Sequence, residues 1–180
     1  GTLSRLPFTL KTDIGGATPV SFDGTGVYSR QGPAQSVVLE GAGRVREIPF
    51  TTRNPAVIAL SGDGRVARVD LAIGGGVLLG DLRQDSRAAI IEANLTRVDL
   101  GTLVRDMRGA VTGRLSLRGA GDDLSGSANV ALQGIRSIDA PRGLAVDGTL
   151  NALLVNHSLR IQAQASDGDA VRATADLTLP

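Results

Sequence analysis

The sequence of this 180-residue chain predicts an all-β fold, one mostly antiparallel sheet with a single short helix. Three observations carry the prediction. Apolar and polar residues alternate with a period of two along most of the chain, the pattern of strands buried on one face. Glycine, asparagine, aspartate and serine cluster between the alternating runs, where they supply turns. One stretch alone trades that period for a helical one.

In chain order, Leu6, Phe8 and Leu10 form the first run, and Val20 and Phe22 the second. Ala67, Val69, Leu71 and Ile73 make a longer one, followed by Ile91, Ala93 and Leu95 with Glu92, Asn94 and Thr96 between them. In "VDLGTLVRDMRG", Leu100, Leu103, Val104 and Met107 fall at helical spacing, with Asp99 placed to cap the start and Gly109 to end it. A helix of about two turns near 99–108 is expected, lying on the sheet or across one end of it as a plug or edge cover. The alternation then sharpens through Leu115 and Leu117; Ala128, Val130 and Leu132; and Leu144, Val146, Leu150, Ala152 and Leu154. Leu159, Ile161, Ala163 and Ala165 follow, and the last run is Val171, Ala173, Ala175, Leu177 and Leu179. Residues 119–123, Asn156-His157-Ser158 and Ser166-Asp167-Gly168-Asp169 read as turns. Connections this short imply a meander of about a dozen antiparallel strands, with a loose repeat of strand, glycine-containing turn and strand from Gly109 onward.

Composition narrows the function. Nineteen basic and 18 acidic residues are interspersed, with no run of like charge long enough to grip nucleic acid. Cysteine is absent, which removes disulfides, thiolate metal sites and cysteine nucleophiles. No stretch reads as a membrane-spanning helix or an export signal, so any anchor or signal is expected outside this sequence.

The search for catalytic and ligand-binding patterns points to no enzyme and no cofactor. His157, the single histidine, lies in an expected turn with no Gly-x-Ser-x-Gly elbow in the chain, and an exposed turn histidine is the simpler reading. Asp122-Asp123 and Asp167 with Asp169 lack the grammar of a calcium loop and read as solvated turn residues. Gly41-Ala42-Gly43 and Gly74-Gly75-Gly76 do not complete a phosphate-binding fingerprint: Arg46 stands where a third glycine is needed, and Lys11 is the sole lysine. Turn or bulge glycines account for them.

The alternating face must still be covered. Either the sheet doubles over and fills its own interior, or it curls incompletely into an open half-barrel whose apolar trough holds lipid. The residues expected to line such a trough are Ala67, Val69, Leu71, Ile91, Ala93, Leu95, Leu115, Leu117, Ala128, Val130, Leu132, Val146, Leu150, Ala152, Leu154, Leu159, Ile161, Ala163, Val171, Ala173, Ala175 and Leu177. The many alanines leave room for a guest, and only four aromatics are present to fill an interior. An acyl chain of roughly 16 carbons costs on the order of 10 kcal/mol in water, so a dry groove removes most of a barrier to its movement.

The segment "VDLGTLVRDMRGAVTGRLSLRGAGDDLSGSANVALQGI" (98–135) carries a cadence of D-L-x-x-L, then G-x-x-x-G-x-L-x-L-x-G, then a glycine-spaced strand. It sits on Asp99, Leu100, Leu103, Gly109, Gly113, Leu115, Leu117, Gly119, Leu124, Gly126, Val130 and Leu132. This resembles the C-terminal domain family of TamB, the translocation and assembly module subunit of Gram-negative bacteria, and more distantly the AsmA-like superfamily. The likeness covers about residues 65–180; family members often carry a proline in the turn where Gly119 to Leu124 stands here. The resemblance implies a single β-taco over 1–180, a curled sheet with an apolar concave groove, excised from a longer periplasmic protein anchored in the inner membrane. It further implies phospholipid acyl chains as the guest, conducted between inner and outer membrane, and a TamA-like outer-membrane barrel protein as partner. The alternative it implies is an assembly or chaperone module for autotransporters and other β-barrel clients.

Overall fold

Period-two alternation commits this chain to strands, because only a strand places every second side chain on one side. The computed structural model describes residues 4–16, 18–120, 123–139, 145–168 and 171–179, without the side chains of 171 and 172. The strands are β1 (Ser4–Ile14), β2 (Val20–Gln31), β3 (Ala34–Val45), β4 (Ile48–Ser61), β5 (Gly64–Ile73), β6 (Gly76–Asp85) and β7 (Ala89–Asp99). After the helix α1 (Leu100–Leu103) come β8 (Met107–Ala120), β9 (Asp123–Ser137), β10 (Val146–Val155), β11 (Ser158–Asp167) and β12 (Val171–Leu179). They form one 12-stranded sheet in sequence order. Every neighbouring pair is antiparallel, and β1 and β12 stand at opposite edges, so the sheet is not closed into a barrel.

Turn chemistry sets the tight reversals. Gly74 and Gly75 between β5 and β6 have φ of 53° and 74°, and Asn156 and His157 between β10 and β11 have 50° and 65°. Two successive left-handed residues make the turn whose twist matches that of the flanking strands. Between β6 and β7 the Asp85 carboxylate instead accepts the backbone N–H of Arg87 (2.7 Å) and Ala88 (2.8 Å). The Ala88 and Arg87 N–H groups hold the Asp85 carboxyl below its ordinary range. Of the other expected turns, 121–122 and 169–170 lie outside the described residues, as does Leu144.

The helix is shorter than its spacing predicts. Asp99 caps it as expected, accepting from the Gly101 N–H (2.9 Å), and Thr102 Oγ1 donates to the Asp99 carbonyl (2.7 Å). Val104 has already left the helix, with φ −133°. Met107 belongs to β8, and Gly109, expected as the stop, sits within β8 at φ 135°. Gly101, Thr102 and Val104 are weak helix formers, and a helix this short gains little once nucleated. The apolar stripe is also not buried: Leu103 and Val104 are exposed.

Packing is sparse. Val98 (1% exposed) and Val111 (7%) are the buried apolar side chains among the described residues, facing each other across β7 and β8. The surface is 12148 Å², against about 8,200 Å² for a compact monomer of this 18.5 kDa mass. The difference follows from a single layer with no second sheet packed on either side among the described residues. Val98→Ala is expected to cost roughly 2 kcal/mol in urea unfolding, two buried methyl groups plus incomplete collapse around them. Leu6→Ala, at a side chain 62% exposed, should change the midpoint little.

Candidate functional site

The register defines the candidate site, since residues directly opposite in an antiparallel ladder share a side of the sheet. One row crosses all twelve strands: Leu6, Tyr28, Val37, Ile58, Ala67, Leu82, Ile91, Leu117, Gly126, Leu154, Leu159 and Leu179. The next row from β5 onward is Val69, Gly80, Ala93, Leu115, Ala128, Ala152, Ile161 and Leu177. Beyond it run Leu71, Leu78, Leu95, Gly113, Val130, Leu150, Ala163 and Ala175, and then Val98, Val111, Leu132, Gly148, Ala165 and Ala173. The sequence-selected lining residues thus stand together on this one side. Val146 belongs there by its two-residue step to Gly148; of Val171 the backbone alone is described, paired with Asp167.

The sequence reading missed members of this side. Leu78 and Leu82 in β6 sit in "VLLGDL", where the apolar run hides the phase: Leu79 points to the other side, in register with Asp70 and Asn94. The apolar side also continues through β1–β4, with Phe8, Leu10, Phe22, Leu39 and Phe50. There the rings cover glycines. A Cβ on Gly26 would meet Phe8 Cζ at 2.6 Å, and one on Gly43 would meet Phe50 Cζ at 2.6 Å and the Ser21 carbonyl. Phe22 and Phe50 stack across Gly43 with centroids 6.4 Å apart. Gly41 and Gly43 are therefore strand glycines under phenyl rings, whereas Gly74 and Gly75 are turn glycines.

The opposite side is polar in the same rows. Asp70, Leu79, Asn94, Arg114, Asn129, Asn151, Gln162 and Asp176 face one another in sequence. Cross-strand ion pairs join Arg53 to Asp70 (3.1 Å), Arg68 to Asp81 (2.7 Å) and Arg160 to Asp176 (3.9 Å). A depression of about 620 Å³ lies mainly among polar-side residues, including Gln133, Thr149, Gln164 and Ser166, and one of about 350 Å³ lies near Asn54, Arg68, Asp81 and Glu92. The first is lined largely by small residues such as Ala131, Gly148, Ala165 and Ser166; in the second, Arg68, Asp70 and Asp81 are taken up in the ion pairs above.

His157 lies in the exposed β10–β11 turn with Nε2 3.7 Å from Asp123 Oδ1. Asp122 and Asp169 lie outside the described residues. Among the described residues no three His, Asp or Glu side chains cluster as a metal site would need, and no helix is long and apolar enough to cross a membrane.

Crowding at the covered glycines gives a direct check. Gly43→Ala should cost about 1–3 kcal/mol, since the added methyl displaces the Phe50 ring or the Ser21 carbonyl. Gly62→Ala, with nothing within 4 Å, should be close to neutral by the same denaturant titration.

Compared with protein-family models, with curated proteins and with solved structures, the chain finds no match.

Proposed function

We propose that the apolar side is the concave lining of a curled open sheet, a β-taco, and that it conducts phospholipid acyl chains as a non-enzymatic segment of a TamB-like envelope protein. The observation that carries this reading is the apolar side itself, continuous over twelve strands and covered by no second layer among the described residues. Twelve strands spaced about 4.8 Å apart extend it over roughly 50 Å, long enough for an acyl tail lying across the strands.

The profile of that side supports a trough. Leu82, Ile91, Leu117, Leu154 and Leu159 stand tall in one row, and in the adjacent row Gly80, Ala93, Ala128 and Ala152 leave low places among Val69, Leu115, Ile161 and Leu177. Curling crowds side chains on the inner side, and glycines at Gly24, Gly26, Gly41, Gly43, Gly113 and Gly126 relieve that crowding. Register shifts in β3/β4, β4/β5, β7/β8, β8/β9 and β9/β10 are of the kind that bend strands and raise twist. The cadence of 98–135 supports the family, and with it a periplasmic setting, an inner-membrane anchor elsewhere in the protein and a TamA-like barrel partner. Contact through short apolar side chains is unselective, which suits transfer better than storage.

Single Val130→Asp, Leu154→Asp or Ile161→Asp substitutions place a charge on this lining. Each should lower the phospholipid that copurifies with the protein, read by mass spectrometry, at least tenfold, with the β-sheet circular dichroism spectrum unchanged. Undiminished lipid in all three variants, or none in the parent, would sink the reading. Crosslinking of the same face to a nascent barrel in place of lipid would favour the assembly role.

A further inference from the structure

The connections of a meander alternate between two ends of the sheet, and the two ends of this one differ. At the end holding the β1–β2, β3–β4, β5–β6, β7–β8 and β9–β10 connections, backbone hydrogen bonds tie three of the four neighbouring pairs. Arg46 N–H donates to the Pro19 carbonyl (2.6 Å), Asp99 N–H to Gly74 (2.8 Å) and Ile138 N–H to Asp106 (2.7 Å). At the other end, the contact between hairpins among the described residues is the loose His157–Asp123 pair.

One link at the tied end spans further than the rest. Arg105, after α1, lies 2.7 Å from Glu47 in the β3–β4 turn. Four strand spacings, about 19 Å, separate these connections along the sheet, more than the two side chains bridge alone. The segment after Asp99 turns back along the rim, past the β5–β6 connection at Gly74 and on toward Glu47. Its Thr102 side chain rests on Gly74, where an added Cβ would meet Thr102 Cβ at 3.4 Å and its hydroxyl closer still. Val98, the most buried side chain described, lies at the same place on the apolar side, within reach of Gly74.

We propose that residues 100–106 form a strap over this rim of the apolar side, fastened by the Glu47–Arg105 ion pair, and that its release admits an acyl chain there. This rests on the lipid reading above. The fastening suits reversible use: both partners are exposed, so the pair is weak and screened by salt. Arg105 holds the Glu47 carboxyl below its ordinary range, chiefly by its hydrogen bond and also by its charge, with Arg44 adding to the effect. Leu103 and Val104 leave apolar side chains exposed on the strap itself, at the place where a tail would enter.

The chain has no cysteine, so Val98→Cys gives a single reporter thiol under the strap. In that background Glu47→Arg and Arg105→Glu each place like charges together, beside Arg44 and Arg46 or beside Asp106. Maleimide modification should quicken roughly two- to fivefold in each and return to the parent rate in the double charge swap. High salt should quicken the parent alike, and in the unmutated chain it should speed hydrogen exchange at the Asp99 and Val104 amides. Uptake of a fluorescent long-chain fatty acid from phosphatidylcholine vesicles should quicken in the same order, at unchanged saturation. Equal thiol rates in all four proteins together with salt-independent exchange would overturn the strap. Thiol rates that follow the charges without uptake by any variant would instead defeat the lipid reading, and the gating role with it.

Discussion

Register parity is the constraint on which the rest of the structure depends. Side chains alternate at every step of a strand, so a slip of one residue in any of the pairings would turn every later strand over. The sequence does not alternate perfectly, and the bulges fall where it fails. Leu95 and Val98 are three residues apart and would face opposite ways in a regular strand; Arg97, at φ 51°, absorbs the extra residue and returns Val98 to face Val111. Gly134, at φ 61°, does the same between Leu132 and Ile135, so that Ile135 faces Val146. In β4 two irregularities between Thr52 and Val57 cancel, and Ile58 rejoins the side that Thr52 left. These are corrections of phase, placed so that one side stays apolar from edge to edge.

A sheet held this way pays an unusual cost. Its cohesion comes from the antiparallel hydrogen-bond ladder and from cross-strand apolar pairs, each worth only about 0.2–1 kcal/mol. Val98 and Val111 supply the buried apolar contact that a packed core would spread over many residues. Large side chains such as Ile58, Ile91, Leu150 and Leu177 are left partly in water. A protein under selection for stability alone would cover that side with a second layer. Leaving it open makes physical sense where something apolar is to lie on it, and the glycines and alanines interspersed in its middle rows leave the space.

Much of this was legible in the sequence because period two is a local signal. The strands β5 and β7 to β12, their phase and the turns at Gly74-Gly75 and Asn156-His157 follow from residues a few positions apart. The parts that were not legible depend on what lies across the sheet. Leu79 cannot be told from Leu78 until Asp70 and Asn94 are placed beside it. Phe8, Phe22 and Phe50 are scattered in sequence, and their shared task appears only when β1–β4 bring Gly26 and Gly43 under their rings. The helix was overestimated because Leu100, Leu103, Val104 and Met107 also satisfy a turn followed by a strand, and Met107 pairs with Ser137 in β9. The reach of Arg105 to Glu47, across 58 positions, has no local signature at all.

The polar side enforces the same phase from the other direction. Asp81 stands directly opposite both Arg68 and Glu92, a like-charge neighbour that by itself would disfavour the pairing. Arg68 at 2.7 Å and Arg83 at 2.9 Å both engage Asp81 and offset that repulsion. Pairs this exposed add little to stability, but they discriminate strongly between registers. A one-residue slip of β5, β6 or β7 would carry Arg68, Asp81 or Glu92 onto the apolar side and turn Val69, Leu82 or Ile91 out in its place. Positive and negative selection of register thus act on opposite sides of one layer, and this lets a sheet with almost no core hold a single continuous apolar surface.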